Sequence, residues 1–392
     1  MTGTTRLLAA IASAGAHGEE LVLATVVRVE GSAYRRPGAR MLVLPYGEAV
    51  GSISGGCLEA EVCKKAWWIT AQGPVVRCYS TGGGADDDDD DTAREFGLGC
   101  NGKVHVLLER LPAAGSPLAA LLRAVQAEER PAAVATVISS HADSGVRVGD
   151  RLLLDTAGTM AGRLADAVLD AAVRHDLAQT LAAAQSSLTI YGDPQGDTEL
   201  FFEYLPPPPR LLVFGAGHDA EPLVQMAVLQ GLAVTVIDSR VHYARPERFP
   251  GARAVIAALP GQEPPLATLV AGAAAVIMTH NLAQDRRWLG ALLGLQPAYI
   301  GQLGPRHRTE RLLADIGAAP ERQPGLALLH APLGLDLGGD TPEAVALGIL
   351  AEVMAALHGG SGQRLHGHEG HIHHSLPVRH RYLARPAQAG RS

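Results

Sequence analysis

Aromatic side chains are scarce in this chain. Phe, Tyr and Trp together make up 4% of its 392 residues, whereas 47% of the residues are apolar. The core must therefore be built from Ala, Val, Leu and Ile, a mixture that suits layered α/β architectures. Cysteine is nearly as sparse: Cys57, Cys63, Cys78 and Cys100 are the full set, with no CxxC pair among them. That spacing excludes a preformed CxxC zinc site, and so few thiols in so long a chain point to a reducing, cytoplasmic setting rather than a disulfide scaffold. An excess of basic charge is also absent, the formal net charge being −7, which argues against a nucleic-acid-binding surface. No apolar run approaches the roughly 20 residues that a membrane span needs. Leu7–Ala16 behind Arg6 imitates a short signal peptide, yet the strand-like run Leu21–Val29 follows almost at once. The same residues read as a first helix packed on that strand. A serine nucleophile elbow, an HExxH helix and a P-loop lysine are missing too.

What is present divides naturally into two domains, since the length exceeds one ordinary core. Residues 1–205 read as an α+β domain, with strands at Leu21–Val29, Arg40–Leu44, Ala49–Ile53 and Lys103–Glu109. Helical spacing follows over 117–129 and 165–187, with strands near 132–139, 151–155 and 198–205. Pro206–Pro209 is a stiff extended spacer. Over 210–360, strands near 210–214, 233–237, 254–256, 274–278, 298–300 and 327–330 alternate with helices. That alternation predicts a Rossmann-like, doubly wound parallel sheet. Thr341 and Pro342 open its last helix and Gly359-Gly360 close it. The acidic run Asp86–Asp91 reads as a solvated loop insertion, and the histidine-rich tail 361–392 as disordered.

The most informative segment is Leu212-Val-Phe-Gly-Ala-Gly-His-Asp-Ala220, a buried strand running into a glycine turn and then a helix. Gly215 and Gly217 allow a tight turn and close approach to a ligand. Val234-Thr-Val-Ile-Asp238 ends in an acid at the spacing at which such groups grip a ribose hydroxyl. Ligand-facing residues of such a sheet gather beyond the carboxyl ends of its strands. That rule marks His218 at the first helix and Thr279-His280-Asn281 after a later strand.

The N-terminal half carries two glycine–cysteine loops, Gly51-Ser-Ile-Ser-Gly-Gly-Cys-Leu-Glu59 and Gly97-Leu-Gly-Cys-Asn-Gly102. Backbone amides in such turns can form an anion-binding nest, and a soft sulfur beside it suits a thiophilic metal. Their alternative reading is plain turns with small buried thiols. Between two strands, Gly31-Ser-Ala-Tyr-Arg-Arg-Pro-Gly-Ala-Arg40 places Arg35, Arg36 and Arg40 where they could cradle phosphate or carboxylate.

Together these stretches resemble the XdhC/CoxI family, accessory proteins that mature molybdenum hydroxylases such as xanthine dehydrogenase and carbon monoxide dehydrogenase. The matching text is Val27–Arg40, Gly51–Glu59, Gly97–Gly102, Phe214–His218, Met278–Asn281, Tyr299–Gly301 and His330–Gly338 with Thr341-Pro342. Departures are the length of the aspartate run, Tyr34, Pro305-Arg-His-Arg308 and the histidine-rich tail. The resemblance implies a cytoplasmic chaperone that binds molybdenum cofactor (molybdopterin), protects it, assists its sulfuration and delivers it to an apo molybdenum hydroxylase. It implies a cysteine desulfurase-type sulfur donor as a further partner. A homodimer is compatible with it, and a nucleotide in the Rossmann-like domain is left open. On this reading Cys57 and Cys100 lie nearest the metal. Ser54, Gly55, Gly56, Gly99 and Gly102 give close backbone approach, and Arg35, Arg36 and Arg40 meet the anionic part. Gly215, Gly217, His218, Asp238, Thr279, His280 and Asn281 line the second binding surface. The reading is of a carrier rather than a turnover enzyme. Its rivals are an NAD(P)-dependent oxidoreductase, for which the glycine turn and Asp238 speak, and a protein–protein adaptor with a vestigial nucleotide fold.

Overall fold

The computed structural model describes residues 3–80, 102–194, 196–258, 264–295, 297–318, 323–367 and 375–383. The chain divides into two units, one formed by Gly3–Pro207 with the segment from Glu369 onward, the other by Pro208–His368. The first unit begins with α1 (Gly3–His17), β1 (Leu21–Glu30), β2 (Arg40–Val43), β3 (Ala49–Gly51) and α2 (Cys57–Ile69). It continues through β4 (Val75–Ser80), β5 (Lys103–Leu111), α3 (Pro117–Glu128), β6 (Ala132–Ser139) and β7 (Arg151–Leu154). Then come β8 (Met160–Ala161), α4 (Ala167–Ala183), β9 (Ser187–Asp193) and β10 (Gly196–Leu205).

One sheet runs β3-β2-β1-β5-β4 and a second carries β9-β10-β6-β7-β8. Side-chain alternation along β1 sets the layers. Val22, Ala24 and Val26 pack with Leu58, Val62 and Ala66 of α2, while Leu21 and Leu23 turn onto Val134, Leu153 and Leu205 of the second sheet. The far face of that sheet is covered by Leu169, Val173 and Leu177 of α4. Ion pairs Arg28–Glu199, Arg40–Glu203 and Arg151–Glu109 cross between the two sheets.

The second unit comprises β11 (Arg210–Phe214), α5 (Ala220–Gln230), β12 (Ala233–Asp238), β13 (Ala254–Ala257), α6 (Leu266–Val270) and β14 (Ala274–Ile277). It ends with α7 (Leu282–Leu293), β15 (Tyr299–Gln302), α8 (Arg306–Ile316), β16 (Leu329–His330) and α9 (Pro342–His358). Its strands are parallel in the order β13-β12-β11-β14-β15-β16. The winding direction reverses between β11 and β14, which is where such sheets bind ligands. Both faces are buried, as continuous apolar strands require. Leu211 and Val213 face α5 and α9, and Leu212 and Phe214 face α7 and α8. Thr341 caps α9 by accepting from the Ala344 amide at 3.2 Å, and Gly359 ends it at φ 67°. The Rossmann-like fold expected from the strand spacing is the fold found.

Four strands escaped the sequence reading, β8 because it is only two residues long. β4 is short and its burial mixed, and β9 begins where Ala/Leu-rich text suggested that the helix continued to 187. The fourth corrects the expectation of a disordered tail. Residues Val378–Tyr382 form β17, which pairs in parallel with β9 and extends the second sheet of the first unit. Its residues are mostly exposed, so the apolar signal that marks a strand is weak there. Arg381 nevertheless reaches the buried Asp176 of α4 at 2.6 Å. His366 lies in a short 3-10 turn, Leu365–Gly367. His368, His371, His373, His374 and the run Asp86–Asp91 lie outside the described residues. Among the described residues no helix is long and apolar enough to cross a membrane.

Candidate functional site

The first glycine–cysteine loop is organised by the carboxylate that ends it. Glu59 stands at the third position of α2 and folds back over residues 52–56. Its Oε1 accepts from Ser52 Oγ at 2.7 Å and from the amides of Ile53 and Ser54 at 3.1 and 2.8 Å. Its Oε2 accepts from the Ser54 hydroxyl and, at 2.9 Å, from the Gly56 amide. Burial alone would raise this carboxyl, but the hydrogen bonds from Ser54, Ser52 and the backbone hold it down at about 2. The anion nest expected here is thus occupied from within, and Ser54, expected to face cofactor, is buried against Glu59. Gly55 and Gly56 remain exposed, Gly56 at φ 121°, and Cys57 begins α2 directly behind them.

The basic turn 31–38 lies against this loop. A side chain at Gly55 would stand 3.9 Å from the Tyr34 ring, and one at Gly102 would collide with Ser32 O at 2.2 Å. One turn therefore touches the first loop and the last residue of the second. Gly99 and Cys100 lie outside the described residues, as does the side chain of Cys57. Arg35 is exposed and stacks over Tyr34, 5.5 Å from the ring centroid, and Arg36 is exposed beside it. Arg40 overturns its expected role. Its side chain is 10% exposed and ion-paired to Glu203, with Nη1 donating to Gly38 O at 3.1 Å, so it fastens the two sheets and is already committed to a carboxylate of the fold. Cys63, on α2, packs against the core between that helix and the sheet, and Cys78 is an exposed thiol 3.8 Å from His105 Nε2.

In the second unit the glycine turn fits against the end of β14. Gly215 has φ 122°, and a Cβ there would lie 2.5 Å from Met278 O, so no other residue is accommodated. Ala220 is fully buried in the core behind the turn. His218 is 84% exposed at the mouth of α5. His280 is exposed and held at φ 56°, and its Nε2 lies 2.6 Å from Asp219 Oδ2. Among the described non-glycine residues with positive φ, Glu129 and Ala184 end helices whereas His280 does not. Backbone strain of this kind concentrates at functional sites. Thr279 and Asn281 flank His280, and each is engaged within the fold. Thr279 is buried with its hydroxyl bonded to Asp285, and Asn281 caps α7 by accepting from the Gln284 amide at 3.0 Å.

Asp238 also departs from expectation. It is fully buried; Oδ2 accepts from the Ala216 amide at 2.7 Å, and Oδ1 from the Arg240 amide at 2.8 Å. The Arg240 guanidinium bonds both oxygens, at 3.0 and 2.8 Å. Burial would raise this carboxyl, but Arg240 and the two amides hold it below the ordinary carboxylate range. Instead of gripping a ribose it braces the glycine turn. What the strand end offers a ligand is Arg240, which lies 4.1 Å over the Tyr243 ring. Asp219 and Glu59 were missed in the sequence; the signal for the latter was an acid three residues after Gly56, at the third position of a helix start. Among the described residues no group of three or more His, Cys, Asp or Glu side chains is arranged to hold a metal ion.

A layered α+β unit with a glycine–cysteine loop, followed by a parallel sheet with a glycine turn at its reversal point, defines a two-unit Rossmann-type protein. The XdhC and CoxI family profile matches residues 14–80 and 125–192, and the XdhC Rossmann domain profile matches 211–353. The chain is 34% identical over 339 residues to a Bacillus subtilis protein named as a probable xanthine dehydrogenase subunit, covering 86% of this chain and 93% of that protein. It therefore belongs to the XdhC and CoxI family. It is 25% identical over 343 residues to the molybdenum cofactor insertion chaperone PaoD of Escherichia coli, covering 86% and 84% of the two chains. A crystal structure from Bacillus halodurans described as a xanthine dehydrogenase matches with a TM-score of 0.68 at 27% identity, over 94% of this chain and 98% of that one.

Proposed function

We propose that this protein is a cytoplasmic accessory factor in the maturation of a molybdenum hydroxylase of the xanthine dehydrogenase or carbon monoxide dehydrogenase type. It takes up molybdenum cofactor as cargo, shields it, assists its sulfuration by a cysteine desulfurase-type donor, and hands it to the apo-enzyme. The observation that carries this reading is family membership across both units, together with a relative named as a molybdenum cofactor insertion chaperone. The local chemistry supports it. The first loop places exposed Gly55 and Gly56 and the start of α2 at Cys57 beside the turn that bears Arg35 and Arg36. A pterin dithiolene with a phosphate tail requires soft sulfur, close backbone approach and cations. We assign Cys57 and Cys100 to the metal end, Gly55, Gly56, Gly99 and Gly102 to close approach, and Arg35 and Arg36 to the anionic end. A homodimer would help to close so large a guest from water.

In the second unit the glycine turn with Gly217 and the exposed His218 and His280 supports a nucleotide-type phosphate ligand. An NAD(P)-dependent oxidoreductase draws on the same features and on the His280–Asp219 pair, but the acid that would hold a ribose is turned inward in Asp238. The test is anaerobic purification from a molybdate-fed host of the wild type and of a Cys57→Ala/Cys100→Ala double variant. The variant is expected to keep its melting temperature and lose bound molybdenum and pterin. Equal molybdenum and pterin in the two preparations would overturn the cysteine assignment.

A further inference from the structure

His330, the last residue of β16, lies in the text His330-Ala-Pro-Leu-Gly-Leu-Asp-Leu-Gly338, which neither the glycine turn nor the cysteine loops account for. Its Nδ1 is 2.9 Å from Glu352 Oε1 on α9. The other oxygen of that carboxylate accepts from the Tyr299 hydroxyl at 2.7 Å and the Gly334 amide at 2.6 Å. The imidazole stacks on the Tyr299 ring with centroids 4.5 Å apart. Burial would raise Glu352, but the bonds from Gly334, Tyr299 and His330 hold it below the ordinary carboxylate range. An ionised carboxylate on Nδ1 fixes the tautomer with the proton there. On the neutral ring Nε2 is then the lone-pair acceptor, on a side chain that is 41% exposed. A histidine serving only as packing has no need of an orienting acid whose other oxygen is itself saturated.

The sheet order shows what such an acceptor would meet. From the glycine turn after β11 the neighbours are β14, β15 and then β16. At about 4.8 Å per strand, His330 lies roughly 14 Å along the carboxyl edge from that turn. Arg240 and Tyr243 lie on the opposite side, after β12. A mononucleotide with its phosphate at the turn and its base toward β12 would not reach β16. We propose that His330, oriented by Glu352, is a ligand-binding imidazole that accepts a hydrogen bond from an N–H or O–H group on the distal arm of a two-armed pyrophosphate ligand seated at the glycine turn. His330 is the residue in contact, and Glu352 and Tyr299 position it.

This inference rests on the nucleotide-type reading of the second unit, and the probes separate the two. Isothermal titration of the full chain with ADP, which ends at the pyrophosphate, reports on the glycine turn alone. NAD+, whose second arm carries a carboxamide N–H donor, reaches further. For His330→Ala the affinity for NAD+ is expected to fall about fivefold to tenfold, the worth of one hydrogen bond, with ADP unchanged. Glu352→Gln is expected to give a smaller loss for NAD+ and none for ADP. Equal behaviour of NAD+ in wild type and His330→Ala, with ADP still bound, would overturn the role of His330 alone. Absence of ADP binding in the wild type would overturn the nucleotide reading and this inference with it.

Discussion

At position 59 one carboxylate takes the place of several backbone partners. Glu59 accepts from the amides of Ile53, Ser54 and Gly56, donors that a loop at a helix start would otherwise leave to water. Its folded-state value of about 2 lies below the 4.5 of an unperturbed glutamate. The stability it contributes is thus fully present above about 4.5 and is lost as the pH falls toward 2. Glu59→Ala should cost about 1–2 kcal/mol at neutral pH, the usual worth of a cap and its bonds. Denaturant titrations of wild type and variant should converge between about pH 5 and pH 2. A gap that stays constant across that range would show that the charge plays no part. At this scale the sequence revealed the residues whose neighbours are local. Gly215, Gly217 and His218 follow from a strand–turn–helix text, whereas Glu59, the acid at the third position of α2, was missed although its partners are as local. Arg40 could not be read, because the Glu203 that claims it lies 163 residues away. Asp238 was misread for a related reason: spacing gives the position of an acid after a strand but not the direction its carboxylate takes.

The carboxyl ends of β14 and β15 and the starts of α7 and α8 are joined by one buried acid. Asp285 is 1% exposed and takes the Thr279 hydroxyl, Gln302 Nε2 at 3.1 Å and Arg308 Nη2 at 2.7 Å. Thr279 precedes His280, so this network holds the turn that presents the strained histidine. Removing the acid would leave a largely buried guanidinium and a buried amide without their partner. Asp285→Ala should cost about 3–5 kcal/mol, and the double change with Arg308→Met should cost less than the single one. Chemical denaturation of the two variants tests this; strictly additive losses would show that the groups act independently. Elements of this unit were legible because each parallel strand is a short apolar run bounded by turn residues, and helices alternate with them. The network itself was not, since it joins residues from four elements that only the folded sheet brings together.

The first unit is closed by residues from the far end of the chain. Residues 208–368 interrupt it in sequence, and β17 returns to pair with β9. The pairing is continued by Leu188 N donating to Pro377 O at 2.9 Å and Leu383 N to Gly192 O at 3.0 Å. Below it, Asp176 is 2% exposed and receives both Arg381 and the Tyr191 hydroxyl. Composition gave no hint of this strand, because Val-Arg-His-Arg-Tyr at a sheet edge buries little and is mostly polar. Its contribution lies in covering the backbone of β9 and pairing a buried carboxylate, which are not apolar terms. A chain truncated after residue 374 should therefore lose about 2–4 kcal/mol in the first unit. The loss should appear as faster amide exchange in β9 and β10, with β11, β12 and β14 of the second unit keeping their protection. Arg381→Ala should give a smaller effect in the same strands, since it removes the charge partner of Asp176 and leaves the ladder intact. Unchanged exchange in β9 after truncation would mean that the strand decorates the sheet without supporting it. Protection lost in both units would mean that the tail matters to the whole chain rather than to the sheet it completes.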